Sequence, residues 1–183
     1  PILSAGRFTH TTNGAPAAGI GTAIDFQTET ASGTNRLGGA IYTTATSVTL
    51  GSENFDMGLA TMQQGVASTE VVRLQSGTAT QNARVGINTT SPQATLQTLT
   101  RDTATNTQST VARLSHTTSG VAAIGIGNVV EFETQTGSGV NKVGVSLSNI
   151  ATSVTLGAEA FDFVIKTMTS GAAVTEKLRV GDY

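Results

Sequence analysis

The sequence predicts an all-β protein made of two small tandem domains, and three observations carry that expectation. The chain is one sequence written twice: residues 7–73 map onto residues 113–179 without a gap, an offset of 106, with 33 of the 67 positions identical. Composition favours strands, because Thr supplies 33 of the 183 residues and only 12% are charged; β-branched side chains lose rotamer freedom in helices and suit a pleated surface. Apolar residues recur at every second position, at matching places in both copies, as half-buried strands require. The repeat is too long for a solenoid turn of about 20 to 50 residues. Each copy is therefore expected to be a domain of its own, 1–75 and 111–183, with a connector at 76–110.

The elements follow in order. A short strand is expected to lead each copy through Phe8 or Leu114. Next, one face reads Ala18, Ile20, Thr22, Ile24, Phe26, and its counterpart reads Ile124, Ile126, Asn128, Val130, Phe132. The clusters TASGTNR and TGSGVNK carry turn chemistry, so the chain should reverse into strands bearing Leu37, Gly39, Ile41 and Val143, Val145, Leu147. Phe55, Met57 and Leu59 match Phe161, Phe163 and Ile165 at spacing two, with Asp56 and Asp162 on the other face. A last strand carries Val72 and Leu74, or Leu178 and Val180. That makes about five short strands per copy and no long helix.

The connector, ARVGINTTSPQATL from Ala83 to Leu96, has its own pattern. Val85 and Ile87 point one way with Gly86 between them, Pro92 forces Ser91 out of the helical region, and Leu96 resumes the alternation. Two such short strands cannot bury a core alone, but three chains around an axis could stack Val85, Ile87 and Leu96 into a shared plug. The segment resembles the VGIGTTSP-type linker of trimeric bacteriophage tail fibres and related fibrous adhesins, departing at Asn88, where that family often has Gly. TEKLRV and LSHTTSG also resemble repeats of such fibres. The resemblance implies a parallel, elongated and intertwined homotrimer. Val85, Gly86, Ile87, Pro92, Leu96, Phe26, Phe132, Phe55 and Phe161 are the expected structural and trimer-interface residues.

Candidate chemistry is sparse. His10 and His116 are equivalent, and threefold symmetry would bring three imidazoles to one level. A hydrogen-bonded structural histidine is the expected role; the paired histidines at spacing two of metal-binding fibres are missing. Asp25, Glu53, Asp56 and their partners Glu131, Glu159 and Asp162 are the repeated acids a glycosidase reading would use, but Asp and Glu interchange at the first position and all are expected to be solvated or turn acids. GIGT and GIGN lack the Lys and following helix of a phosphate loop. No nucleophile–base arrangement is present, so no catalytic, cofactor or metal site is expected.

Composition bounds the partners. Domains this small bury little surface, and with no Trp, no Cys, six Phe and two Tyr the chain has little to staple it. Burial against further copies of itself is the simplest remedy. Ten basic residues scattered among twelve acids offer nothing to nucleic acid, and no apolar run is long enough for a membrane span. The chain opens PILSAG without Met, so a fragment is expected. The expected role is a shaft segment in a virion's tail fibre, extracellular, contacting other fibre or baseplate segments and spacing a receptor-binding tip from the particle. Direct contact with a host receptor is not expected in this segment. Rival readings are the stalk of a bacterial trimeric surface adhesin, a glycan-binding or depolymerase module, and a monomeric tandem β-sandwich.

Overall fold

The structure, a computed structural model, describes residues 7–78, 81–103 and 105–181. Among the described residues all regular structure is β, and no helix is long and apolar enough to cross a membrane. Six strands form one sheet in the spatial order of the chain: β1 (Gly21–Glu29), β2 (Asn35–Ser47), β3 (Asn54–Thr61), β4 (Thr69–Gln75), β5 (Arg84–Ile87) and β6 (Leu96–Thr98). A second sheet holds β7 (Gly127–Gln135), β8 (Asn141–Ser153), β9 (Ala160–Thr167) and β10 (Thr175–Val180). The chain divides into two compact units between Ala112 and Arg113, and the connector's strands belong to the first sheet. Neighbouring strands are antiparallel except β5 and β6, which run parallel.

The two units repeat each other residue for residue. Ile24 pairs with Ile41, Ile41 with Leu59 and Leu59 with Val72; at the 106-residue offset Val130 pairs with Leu147, Leu147 with Ile165 and Ile165 with Leu178. Register irregularities recur at equivalent places, after Phe26 and Phe132 and after Ala45 and Ala151. The expected hairpin turns are present. Thr30 Oγ1 meets Ser32 Oγ and donates to the Thr34 carbonyl, with Gly33 at φ +72°; Thr136, Ser138, Val140 and Gly139 do the same in the second unit.

The leading strand expected through Phe8 and Leu114 is absent: neither 7–20 nor 113–126 forms a strand. Gly19 and Gly125 take φ of +95° and +97°, outside the extended region, so the alternation through Ala18 and Ile20 cannot continue the ladder backwards. These segments are instead tied to the sheet. Gly19 N–H donates to the Ala45 carbonyl, Ala45 N–H to the Ile20 carbonyl, and His10 Nδ1 donates to the Gly21 carbonyl at 2.8 Å. His116 bonds the Gly127 carbonyl at the same distance. A carbonyl can only accept, so Nδ1 carries the proton in both rings. Each histidine is thus a structural tie, as expected. Gly21 and Gly127 lie so close to the next strand that a β-carbon would overlap the Thr43 or Asn149 carbonyl oxygen.

Candidate functional site

Cross-strand partners share a face, so the register sorts each sheet into two sides. One side of the first sheet stacks Ile24, Ile41, Leu59, Val72 and Ile87 in one row and Met57, Leu74, Val85 and Leu96 in the next. Phe26 and Phe55 continue it at spacing two. In the second unit the same side carries Val130, Leu147, Ile165 and Leu178, with Phe132, Phe161 and Phe163 beside them. The apolar side is the open one. Phe26 is 54% exposed, Phe55 55%, and Leu96 64%; Phe132, Phe161, Ile24, Leu59, Met57 and Ile87 are also exposed.

The other side, polar by sequence, is the one the chain covers itself. In β3 Asp56, Gly58 and Ala60 are buried while the alternating Phe55, Met57 and Leu59 are exposed. The ring of Tyr42 lies across Gly58, where a β-carbon would collide with it, and its hydroxyl donates to Glu70. Arg73 bonds Asp56 at 2.9 Å through Nη1 and Glu70 at 2.7 and 2.5 Å through Nε and Nη2. Asp56 also accepts from Ser76 N–H and its hydroxyl, at 2.8 and 3.1 Å. Arg179 repeats the pattern with Asp162 at 2.8 Å and Glu176 at 3.0 and 2.6 Å. Burial, and then the Glu70 bond, push the Tyr42 hydroxyl up to about 12. Hydrogen bonding to Glu70 holds Arg73 more firmly protonated, and Glu176 does the same for Arg179, whose bond in turn lowers the Glu176 carboxyl below its usual range.

The connector belongs to both sides. Val85, Ile87 and Leu96 lie on the open face. Gly86 faces the covered side with Arg73, and a β-carbon there would press against the Thr89 carbonyl at 2.5 Å. Pro92 is fully buried and its carbonyl accepts from Arg84 at 2.8 Å. Gly86 and Pro92 therefore build the turn from within and are not on the open face. Asn88 stands at φ +58°. That conformation favours Gly and tolerates Asn, which accounts for the one departure from the resembled motif.

The expectation that Asp56 and Asp162 are solvated is overturned: both are buried and ion-paired. Alternation assigns a polar residue to water, and it cannot show that Arg and Glu side chains from the next strand will fold over that face. The signal was Glu70 and Arg73, identical in both copies as Glu176 and Arg179. Asp25 and Glu131 are exposed as expected. Glu53 lines a hollow of about 440 Å³ with His10, Pro16, Ile20 and Phe55, and Glu159, His116, Ala122, Ile126 and Phe161 line its counterpart of about 290 Å³. Among the described residues no group of three or more His, Cys, Asp or Glu is placed to hold a metal ion. Searches of protein-family models, curated proteins and solved structures find no match to this chain.

Proposed function

We propose that the chain is a structural shaft segment of a trimeric, virion-borne tail fibre, extracellular and without catalytic activity, that holds a receptor-binding tip away from the particle. The observation that carries this reading is the open apolar face, repeated in both units. The chain exposes 13836 Å², whereas two folded domains of these sizes expose about 9900 Å² together. The excess, about 4000 Å², is shared between the open faces and the exposed segments 7–20, 99–103 and 105–126, which lie outside the strands. Three parallel copies would turn the rows Ile24–Ile41–Leu59–Val72–Ile87 and Val130–Leu147–Ile165–Leu178 toward one another. Phe26, Phe55, Phe132, Phe161 and Leu96 would then supply the largest contacts. The resemblance of the connector to fibre linkers supports the same arrangement. A spacer needs no sugar platform, and Tyr42, the one described tyrosine, is turned onto the covered side.

Electron microscopy of the purified chain, with a binding assay on whole host cells, tests the role. Slender rods of constant length that pass cells without saturable binding are expected. Compact particles, or saturable binding by the assembled protein, would move the function from spacing to recognition.

A further inference from the structure

Five charged residues of the first unit recur unchanged in the second at the 106-residue offset: Arg7, Glu53, Asp56, Glu70 and Arg73. Three of them, Asp56, Glu70 and Arg73, form the ion-pair cluster on the covered side, and Asp162, Glu176 and Arg179 rebuild it. The other two, Arg7 and Glu53, have opposite charges and are exposed, as are Arg113 and Glu159. Among the described residues none of these four enters an ion pair. Glu159 accepts one hydrogen bond, from Gly157 N–H at 3.0 Å, which leaves its charge uncompensated. Elsewhere the charges vary between the units: Asp25 becomes Glu131, Glu29 becomes Gln135 and Arg36 becomes Lys142.

From this we infer that Arg7 of one copy pairs with Glu53 of a neighbouring copy, and Arg113 with Glu159 in the same way, as charged clasps beside the open face. The inference rests on the trimeric reading above. Phe8 and Glu53 line one hollow together with Phe55, so Arg7, the residue before Phe8, lies at the level of Glu53. Rotation about a threefold axis keeps every residue at its own level along that axis. The neighbour's carboxylate therefore comes to the level of each guanidinium, with the complementary charge. A guanidinium can hold a carboxylate through two parallel hydrogen bonds, which fixes geometry as well as partner. Charged pairs at an interface set specificity and register more than raw affinity. A copy slipped along the axis would lose both kinds of pair at once.

The protein has no cysteine, so introduced thiols report on single positions. A chain carrying Arg7→Cys is coexpressed with one carrying Glu53→Cys, and the purified assembly is treated with a short bis-maleimide. A covalent dimer joining the two different chains is expected, identified by mass spectrometry of the linked peptides. Arg36→Cys, at the opposite end of the β1–β2 hairpin from Gly21, should give none in place of Arg7→Cys. Glu53→Arg alone should weaken assembly at least about tenfold by setting like charges together, and adding Arg7→Glu to the same chain should restore it. A trimer with no mixed cross-link, or with no recovery in the double reversal, would overturn the pairing and leave the shaft reading standing. A monomeric protein would overturn both.

Discussion

Gly58 and Tyr42 make one packing site, and the second unit solves it with different residues. At the equivalent positions stand Val164, fully buried, and Ser148, whose hydroxyl is buried without a hydrogen-bond partner. A large residue over none has been exchanged for a small one over a medium one. Gly58→Val alone should therefore cost about 1–3 kcal/mol by overpacking, and adding Tyr42→Ser should recover most of it; urea denaturation of the two single variants and the double variant measures the coupling. Tyr42 also imposes a pH dependence. Its folded value lies near 12, above the ordinary 10.0, so its contribution is intact below pH 10 and is lost as pH rises through the folded value. In a Tyr183→Phe background, absorbance should show Tyr42 ionising near 12 in the folded protein and near 10 after unfolding. Asp56 accepts three hydrogen bonds while 4% exposed. Asp56→Asn should cost about 2–3 kcal/mol, and Asp162→Asn less, because Arg179 is the more solvated arginine.

At the scale of the element, the strands were legible because period-two alternation appears twice in matching places, and the hairpin turns because Thr, Ser and Gly fall at their bonding positions. The alternation was read too far back, through Ala18 and Ile124, where Gly19 and Gly125 leave the extended region, and the segments of Phe8 and Leu114 meet the sheet through the His10 and His116 side chains and not through a strand ladder. Alternation identified the apolar side correctly, including Val85, Ile87, Leu96 and the four phenylalanines. It could not tell what covers either side, so it missed the ion pairs that close the polar one. In the connector, Asn88 marks the tightest requirement. Asn88→Gly should change stability by only a few tenths of a kcal/mol, whereas Asn88→Val should cost about 1–2 kcal/mol by forcing a branched side chain to positive φ. Thermal melts compared with wild type test both.

For the whole molecule, the distribution of apolar surface decides behaviour. A single chain that exposes Ile87 tolerates a charge there, because the side chain can reach water. In the proposed trimer the same substitution brings three carboxylates to one buried level, each costing several kcal/mol after relaxation. Ile87→Asp should thus abolish assembly while leaving the local fold of each sheet intact, which circular dichroism and gel filtration together can read. The most direct measurement is the molar mass of the purified protein by light scattering across a dilution series. A mass three times 18.6 kDa that persists on dilution is predicted; a cooperatively folded species at 18.6 kDa would contradict the proposal that the open faces are built to be shared.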